Sequence, residues 1–177
     1  MISSKHIETP LGKLFAEANS IGITRFGFVK QSIKQQVILQ DENALSTADN
    51  HILMLQQELD EYFSGARKDF TVPLSPTGTS FQIMVWNALA KIPYGITCTY
   101  LQLARNLKLP DAVRAVAGAN ARNPIMILVP CHRVNGTDGS LTGYAGGLKA
   151  KNFLLELESG RKMPEQLTME FPEMPTV

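Results

Sequence analysis

The stretch Ile127-Leu128-Val129-Pro130-Cys131-His132-Arg133-Val134 decides how this chain is read. Three consecutive aliphatic residues predict a buried strand, and a strand ending in a core presents the next residues, Cys131 and His132, from a rigid platform rather than from a mobile loop. On a continuing strand, Cys131 and His132 would point to opposite faces. Pro130 fixes its own φ and lacks a backbone donor, which predicts a bend, and a bend lets thiol and imidazole meet. A cysteine alone reads more readily as an inert apolar core residue than as a nucleophile. An adjacent imidazole, able to take the thiol proton or stabilise the thiolate, raises the second reading without deciding it.

Working outward, 177 residues suffice for one good core or two small ones, and 44% hydrophobic with 19% charged residues excludes a disordered or fibrous chain. No apolar run reaches the roughly 18 residues of a membrane span, and Met1-Ile2-Ser3-Ser4-Lys5-His6 lacks the apolar core of a signal peptide. An intracellular, cytoplasmic setting is expected. Two cysteines, Cys98 and Cys131, do not make a disulfide framework, and a reducing compartment leaves a thiol free to react. Cys98 reads as structural.

Charge is unevenly divided. Residues 1–78 hold seven Lys/Arg against nine Asp/Glu, residues 79–135 six against one (Asp111), and residues 136–177 four against six. The middle segment can face a polyanion, although a basic solvated surface explains the excess equally well.

Before that segment, residues 5–8, 12–18 and 22–29 read as short strands joined by tight turns at Thr9-Pro10-Leu11-Gly12 and Asn19-Ser20-Ile21. Asp49 can cap a helix over 50–63, whose Ile52, Leu55, Leu59 and Phe63 would cover the sheet, with Gly65 beyond its end. Residues 1–72 therefore form a small α+β domain. With His6 and His51 its only histidines and no cysteine, it offers no four-ligand zinc site, so no structural metal is expected. Pro73, Pro76 and Gly78 mark a linker over 73–78.

The second domain spans 79–160. Thr79 or Ser80 caps a helix with Phe81, Val85, Leu89 and Ile92 on one face and Trp86 beside it in the core. Thr99 caps another through Leu101, Leu103, Ala104 and Leu107, and Pro110-Asp111 opens a third through Val113, Val116 and Ala119, a helix-turn-helix pattern. The third helix carries Ala112, Ala115, Ala117, Gly118, Ala119 and Ala121 around Arg114. Either these small residues pack densely, or they let the backbone approach a narrow groove while Arg114 supplies a flat, charged group. A last helix over 148–158 has its apolar side centred among Ala150, Leu154 and Leu157; Glu158 falls at the edge of that face and Glu156 well outside it. A carboxylate turned toward a core needs a partner, which singles out Glu158 for His132. Residues 161–177, with three prolines and no period, read as a loosely ordered tail.

Asn123-Pro124, Pro130 to Val134, Gly143-Tyr144-Ala145-Gly146-Gly147 and Lys151 to Glu158, together with Phe81-Gln82, Val85-Trp86, Ile92 to Gly95, Thr99-Tyr100 and Arg114-Ala115-Val116, resemble the O6-alkylguanine-DNA alkyltransferases over about residues 60–160. The resemblance implies a ribonuclease H-like α+β domain followed by a winged helix-turn-helix-like domain carrying the active site. It implies single-turnover repair without a cofactor: Cys131 accepts the alkyl group from O6-alkylguanine, and from O4-alkylthymine, in a flipped-out nucleotide. In that scheme Glu158 serves His132, which is reached through a water, Tyr144 serves the leaving guanine, and Asn123 ties the recognition helix to the active-site loop. Val134, Ala145 and Met126 line the pocket; Arg114 fills the vacated stack; Tyr100 rotates the phosphate; Ala115, Gly118, Arg122 and Arg133 meet DNA. The partner is double-stranded DNA entered through the minor groove by a monomer. Some relatives hold zinc in the first domain, and this chain lacks the residues for it.

Three other readings compete. A cysteine hydrolase built on Cys131, His132 and Glu158 lacks an evident oxyanion arrangement and leaves the helix-turn-helix unexplained. A non-catalytic sensor of alkylated DNA has another residue in place of Cys131, and a plain transcriptional regulator has no use for the cysteine-histidine pair.

Overall fold

A computed structural model of the chain describes residues 2–28 and 46–160. They divide into two compact units that part between Pro76 and Thr77.

The first unit is α+β. Strands β1 (Ser3–Thr9), β2 (Gly12–Ala18) and β3 (Ile23–Phe28) form an antiparallel sheet in the order β1-β2-β3. Thr9 closes the first hairpin, its Oγ1 accepting from Leu11 N at 3.1 Å and donating to Gly12 O at 2.8 Å. Position 29, the expected end of the third strand, lies outside the described residues. Helix α1 (Thr47–Phe63) starts three residues earlier than expected. Ser46 is the cap, and Asp49, expected in that role, is the third helical residue of a capping box, its Oδ2 accepting from Ser46 N at 2.9 Å. The difference has a simple origin: either residue type caps, and only the backbone angles decide which one does. Ile52, Leu55, Leu59 and Tyr62 are buried where α1 packs on the sheet. Pro73 and Ser75, expected in a linker, are fastened to β3 by hydrogen bonds with Ile23 of 2.8 and 2.7 Å.

The second unit is mainly helical: α2 (Ser80–Leu89), the short strand β4 (Cys98–Thr99), α3 (Tyr100–Asn106), a 3-10 turn over Pro110–Ala112, and α4 (Val113–Ala121). A second 3-10 turn (Cys131–Arg133), strand β5 (Val134–Asn135) and α5 (Gly147–Glu158) complete it. Thr79 and Thr99 cap α2 and α3, each in a box with the glutamine three residues on. Trp86 Nε1 donates to Ala119 O at 2.9 Å, tying α2 to α4 in the core. Strand β5 pairs with β4 in parallel, Cys98 beside Val134.

The strand expected over Ile127–Val129 does not exist. Ile125 to Pro130 are buried, but the backbone turns twice. Leu128 N donates to Met126 O at 2.8 Å around Ile127, whose φ is 71°, and Cys131 N donates to Val129 O at 2.8 Å around Pro130, at φ −80° and ψ 63°. These are a γ-turn and an inverse γ-turn. An apolar run reports burial, and burial does not require an extended backbone. Positive φ at β-branched Ile127 is strained, and such strain persists where neighbouring contacts impose it. Asn123 imposes it here: Nδ2 donates to Val129 O at 2.8 Å, and Oδ1 accepts from Ile125 N at 3.0 Å.

Among the described residues, no helix is long and apolar enough to cross a membrane, and no cluster of His, Cys, Asp and Glu is placed to hold a metal. The expected loose tail over 161–177 lies outside the described residues.

Candidate active site

Cys131 opens the 3-10 turn that comes after the two γ-turns, and it is a free thiol only 5% exposed. Burial pushes it up to about 11, against the opposing pull of the Asn123 side chain, nearby backbone donors and Lys151. At neutral pH the thiol keeps its proton, so any chemistry through its thiolate needs a base to take that proton.

His132 is buried beside it. Its Nε2 lies 2.8 Å from Glu158 Oε1 at the end of α5. Glu158 accepts more than this one bond. Arg133 Nε reaches Oε2 at 2.8 Å, Arg133 Nη2 reaches Oε1 at 2.9 Å, and Gly95 N reaches Oε2 at 3.3 Å. Burial alone would raise this carboxyl; the donors from His132 and Arg133 outweigh it and hold it at about 2. A carboxylate so saturated is acceptor only, so the proton on His132 sits at Nε2 and Nδ1 keeps its lone pair. Burial lowers His132, which favours the neutral ring. Nδ1 is buried and has no protein partner among the described residues, which leaves it the nitrogen able to receive the thiol proton.

Arg133, expected among the DNA-contacting cations, needs correcting. It is 6% exposed, its Nη1 donates to Ile92 O at 2.5 Å, and its guanidinium lies 5.8 Å over the Tyr94 ring. It holds Glu158 from inside the core and cannot reach a polyanion. Sequence adjacency to a basic segment concealed this, because a planar guanidinium that grips a carboxylate bidentately reads the same as one that grips phosphate.

The remaining residues fall into two groups. Tyr144 is buried, its ring edge-on to His132 at 6.5 Å, and its Oη has no protein partner among the described residues. Burial, with Cys131 and Glu158 nearby, raises its hydroxyl well above the ordinary range, so it stays a proton donor. Val134 and Met126 are buried and Ala145 is exposed. Across α4, Arg114, Ala115, Ala121 and Arg122 are exposed and Gly118 half-buried, and Arg122 Nη1 donates to Gly118 O at 3.1 Å. Tyr100, at the start of α3, is largely buried.

Residues 3–76 match the ribonuclease-like domain of 6-O-methylguanine DNA methyltransferase, and residues 80–160 match the DNA-binding domain of the same enzyme. The chain belongs to the 6-O-methylguanine DNA methyltransferase family. A methylated-DNA–protein-cysteine methyltransferase of Methanosarcina acetivorans is 45% identical over 151 residues, 85% of this chain and 94% of that one. One of Mycobacterium bovis is 40% identical over 171 residues, 96% and 99% of the two chains. The crystal structure of Mycobacterium tuberculosis OGT in complex with DNA superposes with a TM-score of 0.78 at 39% identity, covering 93% of this chain and 97% of that one.

Within this methyltransferase, sequence reasoning missed Lys151. Its side chain is fully buried, with Nζ donating to Val134 O at 2.5 Å and Thr142 O at 2.9 Å. Burial lowers its pKa, while Cys131 raises it. A cation held only by carbonyls joins both ends of the loop that carries Tyr144 and adds positive potential at the thiol. The available signal was its position: Lys151 lies three and seven residues before Leu154 and Glu158, on the face that α5 buries. Gly95 gave no sign of its role beyond its place in the Ile92 to Gly95 motif. At φ 75°, with a Cβ that would stand 2.9 Å from Glu158 O, it is the position where a side chain would push Glu158 away.

Proposed function

We propose that this methyltransferase repairs double-stranded DNA by moving the alkyl group of O6-alkylguanine, and of O4-alkylthymine, irreversibly onto Cys131. The observation that carries the reading is a free, rigidly held cysteine beside a neutral histidine whose other nitrogen is fixed by a saturated carboxylate. The thiol proton passes to His132 Nδ1 through a water, while Glu158 stabilises the imidazolium and stays ionised. The Sγ electron pair forms the bond to the alkyl carbon as the carbon–O6 bond breaks. Its electrons leave with guanine, which takes a proton from Tyr144 Oη, and His132 returns one to Tyr144. The net products are a thioether and guanine; a thioether cannot release the group, so each molecule acts once.

A base inside stacked duplex cannot reach a thiol this buried, so the nucleotide must be turned out, at a cost of a few kcal/mol. The exposed small residues of α4 suit entry into the minor groove, with Arg114 filling the vacated stack, Ala115 and Gly118 against the groove wall and Arg122 on phosphate. Tyr100 turns the lesion's phosphate, and Val134, Ala145 and Met126 bound the base pocket. In this scheme residues 1–72 carry no chemistry, residues 79–160 bind DNA and react, the chain acts as a monomer, and it works inside the cell without a cofactor. Intact mass after exposure to methylated duplex tests it: one methyl group per chain, mapped to Cys131, is expected. Alkylation elsewhere, or regeneration of the thiol with turnover, would sink the proposal.

A further inference from the structure

The scheme for alkyl transfer to Cys131 gives no part to a buried amide that is paired with Tyr100. Asn120, near the end of α4, is 2% exposed, its Nδ2 donates to Tyr100 Oη at 3.2 Å, and its Oδ1 is buried with no protein partner among the described residues. Side-chain amides are seldom buried half-satisfied in a core, where an apolar residue would do better. The pair lies beside the site. A Cβ on Gly143, whose φ is 62°, would stand 3.2 Å from Tyr100 Oη, so the loop leading to Tyr144 runs against this hydroxyl.

Donor and acceptor assignment gives the pair its direction. Because Oη accepts from Asn120, the single hydroxyl hydrogen remains to be donated, and no protein acceptor takes it among the described residues. Were the amide turned over, Oδ1 would accept that hydrogen and both amide N–H groups would be left without a partner. The turned arrangement leaves the same number of polar hydrogens unpaired but spends the tyrosine inward, whereas the observed one keeps the hydroxyl hydrogen for an outside acceptor.

We propose that Asn120 is a positioning residue that keeps the Tyr100 hydroxyl as a donor toward a phosphate oxygen of the extrahelical nucleotide. This rests on the proposed role of Tyr100 in turning the lesion's phosphate. An anionic acceptor makes the bond charge-assisted, and the pair is set before DNA arrives, so no reorientation is needed when the nucleotide turns out.

Single-turnover rates on a duplex with one O6-methylguanine test it for Asn120→Leu, Tyr100→Phe and the double variant. Each single change should slow repair about tenfold, as expected for loss of one charge-assisted hydrogen bond, and the double variant should be no slower than the slower single. A duplex with neutral methylphosphonates flanking the lesion should slow the wild type but add nothing to either variant. Loss of fold alone would not produce that masking. The double variant should also melt above Tyr100→Phe, since both partners are then apolar. If Asn120→Leu does not fold, Asn120→Ser, too short to reach Oη, replaces it. Multiplicative losses in the double variant, or wild-type rates for Asn120→Leu, would overturn the inference while leaving Tyr100 in place. Wild-type rates for Tyr100→Phe would instead overturn the role given to Tyr100.

Discussion

At the scale of single residues, the proposed chemistry rests on a thiol that burial keeps protonated and a carboxylate that its donors keep ionised. Cys131→Ala is expected to abolish transfer while retaining DNA binding, whereas Cys98→Ala, which alters a half-buried thiol outside the proton path, should transfer normally. Label transfer from methylated DNA checks both. Glu158→Gln should slow transfer at least a hundredfold, because an amide cannot stabilise the imidazolium, and Glu156→Gln, at a half-buried side chain outside the relay, should do almost nothing. The same Glu158 change leaves Arg133 buried beside a neutral group and should cost about 3–5 kcal/mol of stability, seen as a lower urea midpoint. Similar rates for the two glutamine variants would contradict the relay.

At the scale of elements, α4 and the turn at Gly95 make separate forecasts. If Arg114 fills the vacated stack, Arg114→Ala should slow duplex repair strongly and reaction with free O6-benzylguanine hardly at all. Arg114→Lys should not restore the duplex rate, since lysine keeps the charge and loses the flat group; restoration, with the loss shrinking at high salt, would mean a purely electrostatic contact. Gly95→Ala puts a methyl group against Glu158 O in a backbone region that disfavours it. A loss of about 2–3 kcal/mol is expected, together with slower transfer, because the same turn donates Gly95 N to Glu158. Unchanged stability and rate would show that the turn relaxes away.

At the scale of the whole molecule, the buried cluster of His132, Glu158 and Arg133 should make the second unit labile in acid. Glu158 titrates at about 2 in the fold against an ordinary value of 4.5, so the unfolded chain binds a proton first between these values. Its stabilisation is complete above about pH 4.5 and is lost as pH falls toward 2, amounting to about 3 kcal/mol. His132, lowered from 6.5 by burial, acts in the same sense, since below that value the unfolded chain gains a proton that the fold resists. Urea midpoints should fall from pH 7 to pH 3, and Glu158→Gln should flatten the lower part of that profile; a midpoint that rises in acid would contradict both shifts. By itself the sequence determined the α+β order, the threonine cap of α3, and the pairing of His132 with Glu158, because caps are local hydrogen bonds and helical periodicity dictates which face an acid shares. Only the tertiary structure decided the cap of α1 and the turns at Ile127 and Pro130, where several backbone paths satisfy the same apolar pattern. It also decided the inward use of Arg133, Lys151 and Asn120, because a polar side chain's partner is set by what packs against it and long contacts leave no period in the chain.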